Sequence, residues 1–221
     1  MSEVPLYTGS LEDDLAVVSR NEMAEKITGG LSHNSKMPCA SWGIPAARCR
    51  VGALLAKKPN TVCGDCYAMK GRYRFGKVQE KLDQRYEGAF DPLWTPSMVF
   101  LILFYCDEYF RWFDSGDIAG ENHLQNINTV ARHTPEIKLW LPTREYATVQ
   151  TVREKIGDFA SNLTIRVSGH MIDGPAPNWW PSASCFVGLI ATITMDARMA
   201  MMPITSSSSM RVKPARRGAN E

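Results

Sequence analysis

The sequence predicts an α/β fold, a partial or complete β/α barrel of the TIM-like kind with a cysteine-bearing loop region towards its N-terminus. Three observations predict it. Apolar runs at 109–113, 137–141 and 163–167 have the length of strands. They alternate with helical spacing over 121–133 and 146–160, and a β-α-β-α-β order implies parallel strands joined by right-handed crossovers. Each run also ends in side chains capable of chemistry, and four cysteines fall within 39–66.

Taken in order, residues 1–32 are a polar lead-in, with weak helical spacing over 11–27 that Gly29 and Gly30 break. Residues 33–181 form a single catalytic-type domain, and 182–221 read as a poorly ordered basic tail with a serine tract at 206–209 and cations from Arg211 to Arg217. The 25 Lys plus Arg against 23 Asp plus Glu create no overall field that would announce a polyanionic partner. Acids in the first twenty residues argue against a signal peptide, and no uncharged apolar stretch reaches the ~18 residues of a membrane span. A soluble, cytoplasmic protein is therefore expected.

The region from His33 is punctuated by Pro38, Gly43 and Pro45 and has no sustained period, so it reads as an ordered loop. Within it Cys63-Gly64-Asp65-Cys66 is a C-x-x-C knuckle, which lets two thiolates face one metal. Cys49 and Cys39 are the nearest partners, with His33 a further option. Three cysteines with one open position would suit an iron-sulfur cluster carrying a bound cofactor; four would suit zinc. No βαβ unit surrounds the knuckle, which disfavours a thioredoxin-type role.

Cations and aromatics alternate directly afterwards, in Lys70, Arg72, Tyr73 and Arg74. That interleaving suits a phosphate backbone with a stacked base. Residues 78–90 then read as a charged amphipathic helix. Residues 97–107 read as an apolar one, with Thr95 as N-cap, Pro96 at the first helical position and Cys106 as plain core.

The three strand ends carry Asp114 and Asp117, then Arg144 and Glu145, then His170. Parallel neighbours would bring these loops side by side, making one composite site. Paired acids can divide the work between nucleophile and base when their environments differ, and Arg144 would hold an anion.

The chain resembles the phage gene-product-88 family in the stretch from Asn34 to Met37, the knuckle running on to Tyr73, Arg111 to Asp117 and Leu139 to Glu145. These span about residues 33–170. The resemblance implies a phage-type protein in the cytoplasm of an infected or lysogenic bacterial host. Some members look like DpdA-type enzymes, relatives of tRNA-guanine transglycosylase that exchange guanine in DNA for a 7-deazaguanine base. By that similarity Asp114 and Asp117 would be the catalytic acids, and zinc would support the nucleic-acid-binding part. The chain departs from the family pattern in two places: thirteen residues separate Cys49 from Cys63, and Cys185 is the one cysteine near the C-terminus.

Three functions are thus open. The first is a metal-binding, DNA-modifying enzyme that exchanges bases through the aspartate pair. The second is a radical-type iron-sulfur enzyme with its cluster at the edge of a partial barrel, although the cysteine spacing is not that of the usual motif of that class. The third is a metal-stapled nucleic-acid-binding protein without catalysis.

Overall fold

The computed structural model describes residues 3–18, 20–34, 37–175 and 177–186, with side chains as far as residue 183. The expected tail lies outside the described residues beyond 186. Among the described residues, seven α-helices accompany a five-stranded, all-parallel sheet. The helices are α1 Leu11–Val17, α2 Asn21–Thr28, α3 Arg50–Leu55, α4 Gly76–Gly88, α5 Trp94–Tyr105, α6 Glu121–Arg132 and α7 Tyr146–Ile156. The strands are β1 Ala40–Trp42, β2 Tyr109–Trp112, β3 Lys138–Thr143, β4 Leu163–Ile172 and β5 Ala183–Phe186. Their order in space is their order in sequence, β1 to β5, with β1 and β5 as the edges.

The strands divide their side chains between two faces. Phe110, Trp112, Leu139, Leu141, Ile165 and Val167 are buried in the core, while the alternate residues Arg111, Trp140 and Pro142 turn to the other face, where they line a cavity. The register sets Arg111 beside Trp140, with the guanidinium 4.5 Å from the ring centroid. The core centres on Trp42, Trp94, Trp112 and Phe113, which meet mostly edge to face at 5.3–6.3 Å. Its one buried indole donor in β1 is satisfied, Trp42 Nε1 donating to the Thr28 carbonyl at 2.9 Å. Asn162 closes the far end, its amide donating to the carbonyls of Ala131, Thr134 and Ile137.

Several elements differ from the sequence expectation. β1 was expected as loop; it is three residues long and buried on both faces, so it shows no alternation to read. α5 starts at Trp94, and its first turn is anchored by Asp91, whose carboxylate accepts from Leu93 N at 2.8 Å. Thr95 is therefore inside the helix and does not cap it. β4 continues to Ile172, because β5 pairs along it and Thr61 bridges to Met171. Ser168, Gly169 and His170 consequently lie within a strand, and the third expected strand-end loop does not exist.

The backbone leaves β2 sharply. Phe113 has φ 54° and Gly116 φ 80°, and the chain from Trp42 to Ile44 continues alongside, with Phe113 N donating to Trp42 O and Ile44 N to Ser115 O. A Cβ on Gly116 would stand 2.5 Å from the Ile44 carbonyl oxygen. Gly116→Ala is expected to cost about 2–4 kcal/mol, from left-handed strain plus a backbone clash; a urea unfolding midpoint equal to wild type would contradict this packing.

Candidate functional site

The connection from β1 to β2 carries everything from Gly43 to Glu108, and its first half folds over the carboxyl end of the sheet. Short 3₁₀ turns at Ala46–Arg48, Tyr67–Met69 and Gly71–Arg74 flank α3 and the knuckle. Side-chain hydrogen bonds fasten this lid. Glu145, at the N-cap position of α7, accepts from Val51 N at 2.8 Å and so holds the start of α3. The Tyr67 hydroxyl donates to the Asp114 carbonyl oxygen.

Beneath the lid is a cavity of about 530 Å³ whose wall includes Cys49, Cys63, Cys66, Arg111, Asp117 and Arg144. Gly52 keeps the space between two of the thiols open: a Cβ there would lie 3.6 Å from the sulfur of both Cys49 and Cys63. Burial pushes the Cys49 thiol up, and Asp117, Cys66, Cys63 and Glu145 push it further. Cys63 is also raised, first by burial, with Arg144 opposing. The thiols are therefore near enough to feel one another, and charging them together requires a cation. As placed, no three Cys, His, Asp or Glu side chains among the described residues close around a single ion position.

Cys39 does not join them. It precedes β1 while the other three follow it, and it lines a separate cavity at the amino end of the sheet with Cys106. Cys106 is buried, as expected of core.

The two aspartates are divided between cavities. Asp117 is 6% exposed and its carboxylate accepts from Thr143 Oγ1 at 2.6 Å, Arg144 N at 2.9 Å and Ile118 N at 2.8 Å. Burial raises its pKa and these donors pull it back. It ties the β2 end to the β3 end beside the thiols. Asp114 instead lines a second, open cleft of about 1010 Å³, together with Tyr67, Lys70, Arg72 and Tyr73. Its Oδ1 is buried without a hydrogen-bond partner, as are Ser115 Oγ and Arg111 Nε.

The remaining expected residues have definite places. Arg144 lines the first cavity, its Nε donating to Gly169 O at 3.4 Å. Glu145 is buried, and that burial pushes its carboxyl up to about 7 against the Val51 N–H. The His170 ring stacks on Tyr146 with centroids 3.9 Å apart and bonds the Arg144 carbonyl at 3.0 Å, so it braces the loop from outside that cavity's wall. Lys70 pairs with Asp65 at the lip of the second cleft, Arg72 is exposed there, and Arg74 lies outside it. Arg111, Trp140 and Tyr67 belong to the site without having been singled out as such. Strand alternation could have found the first two, since a charged residue between buried Phe110 and Trp112 must face the other side.

With this geometry in place, one comparison is decisive: a family model described as gene product 88 matches residues 14–181. The chain belongs to the gene product 88 family. Neither the curated proteins nor the solved structures contain a match to it. The gene product 88 match takes in both cavities and every candidate residue, and it stops just short of β5. Among the described residues of this gene product 88 protein, no helix is long and apolar enough to cross a membrane.

Proposed function

We propose that this protein is a radical-type iron-sulfur enzyme built on a partial β/α barrel, with its cluster on Cys49, Cys63 and Cys66. The observation that carries the proposal is the convergence of these three cysteines, and no fourth among the described side chains, on one cavity beside the face of a sequentially ordered parallel sheet. A cluster spreads its ligands over several irons, so its thiolates stand farther apart than those sharing one zinc at ~2.3 Å. The buried polar atoms of Arg111 and Ser115 that lack partners are available to such a group.

When bound, such a cluster supplies a one-electron reductant and an open iron for a second cofactor. This chain's own residues do the rest. Arg111 and Arg144 offset the negative charge of thiolates and cluster, and Arg111 is held over Trp140 with no carboxylate partner among the described residues. Phe113, Trp140 and Pro142 give the cavity apolar walls that exclude water. The five cysteines whose side chains are described are all free thiols, in keeping with a reducing, cytoplasmic setting.

Anaerobic purification with metal analysis tests this. Brown protein containing iron and acid-labile sulfide is the expected result. Colourless protein with one zinc per chain would overturn it and favour the guanine-exchange reading, in which Asp114 and Asp117 act on DNA.

A further inference from the structure

The second cleft is not part of the cysteine cavity, yet the two share a wall, because Tyr67 lines both. Its other face is built for a particular ligand chemistry. The rings of Tyr67 and Tyr73 meet edge to face at 5.8 Å. Both hydroxyls are tied to the Asp114 carbonyl oxygen, Tyr73 at 3.2 Å. The two rings are therefore fixed before any ligand arrives, and stacking on them costs little ordering.

Cations stand at the rim of this aromatic wall. Arg72 is exposed and makes no ion pair among the described residues. Lys70 is held by Asp65, an exposed pair of the kind that contributes little and can be exchanged for a stronger anion. Asp114 also lines the cleft; its Oδ1 is buried, and its Oδ2 is met at 3.5 Å by the Tyr73 hydroxyl. Rim cations, an aromatic platform and an acceptor together match the three parts of a nucleotide: phosphate, base face and base edge.

We infer that this cleft binds a nucleoside phosphate, with its phosphate on Arg72, its base on Tyr73 and Tyr67, and an amino-bearing base edge on Asp114. The ligand is either a free nucleotide or one residue of a single strand, and the Tyr67 wall brings it next to the cysteine cavity. Its catalytic meaning rests on the cysteine cavity being the reactive centre; the binding does not.

The test uses the full chain with fluorescein-labelled oligo-dC and oligo-dT dodecamers at low salt, and unlabelled dCMP as competitor. Oligo-dC is expected to bind with an affinity that falls as salt rises. Arg72→Ala should lower the slope of log affinity against log salt by about 1. Tyr73→Leu should weaken binding roughly tenfold while Tyr73→Phe retains it. Oligo-dC should be preferred over oligo-dT by about tenfold, since thymine turns a carbonyl towards the Asp114 carboxylate.

Competition by dCMP would identify the free nucleotide as the ligand; its failure, with oligo-dC still bound, would identify the strand. Absence of binding at low salt overturns the inference. So does binding unchanged in both Arg72→Ala and Tyr73→Leu, which would belong to another cationic part of the sequence such as residues 211–217, and so does equal binding of oligo-dC and oligo-dT. Iron-free wild-type protein that still binds through Arg72 and Tyr73 would sink the cluster reading alone, and iron-loaded protein that binds neither probe would sink the nucleotide cleft alone.

Discussion

Cys49→Ala, Cys63→Ala and Cys66→Ala proteins, purified anaerobically and reconstituted with iron and sulfide, are each expected to hold at least about tenfold less iron than wild type. Cys39→Ala and Cys106→Ala should load normally. The split follows from which end of β1 each thiol occupies. A three-residue strand with a rise of ~3.3 Å per residue separates Cys39 from the loop that carries the others, and no side-chain rotation can bring it round. Gly52→Ala should resemble the first group, because its Cβ would stand 2.9 Å from the Cys49 Cβ and 3.6 Å from two sulfurs. Far-ultraviolet circular dichroism separates loss of iron from loss of fold. If Cys39→Ala loses as much iron as Cys63→Ala, the metal sits elsewhere and the cavity is something other than its site.

The division between the two groups of cysteines was not legible in the sequence, and the reason is physical. Cys39 and Cys49 are ten positions apart in a stretch with no period, and the strand between them is too short and too fully buried to announce itself. The strands with one face towards the cavity were legible, since β3 and β4 alternate buried and half-buried residues along their length. Their ends were not. β4 runs on past Val167 because β5 pairs with it, and pairing partners distant in sequence leave no local mark. That extension moved His170 from an expected catalytic loop into a strand, stacked on Tyr146.

The candidate acids show the same limit from the other side. Sequence spacing placed Asp114 and Asp117 together at the end of β2, and they are together in the chain. The left-handed turn at Phe113 and the glycine at 116 then set the two residues in the walls of different cavities. A pair that reads as one catalytic unit becomes two separate environments within four residues.

Asp117→Ala is expected to lower stability by about 3–5 kcal/mol, read as a fall in the urea midpoint at unchanged slope. The carboxylate is the shared acceptor for Thr143 Oγ1, Arg144 N and Ile118 N. Its removal leaves these donors facing an apolar methyl in a site from which water is excluded, and unmet buried donors cost ~1–3 kcal/mol each before relaxation. Asp117→Asn keeps one acceptor oxygen but turns an amide N–H₂ towards the remaining donors, so its cost should be smaller, roughly 1–3 kcal/mol. Asp114→Ala acts through charge instead of donors. Asp114 Oδ1 has no hydrogen-bond partner and Oδ2 only the long contact with Tyr73, but its carboxylate is the opposing charge that acts on the buried Arg85 guanidinium, so leaving that cation uncompensated is expected to cost about 1–3 kcal/mol. A carboxylate that holds three donors and joins two strand ends is poorly placed to leave them and attack a sugar carbon. If Asp117→Ala instead unfolds at the wild-type midpoint, the carboxylate is not structural, and a nucleophile at that position becomes the better account of why an acid is buried there.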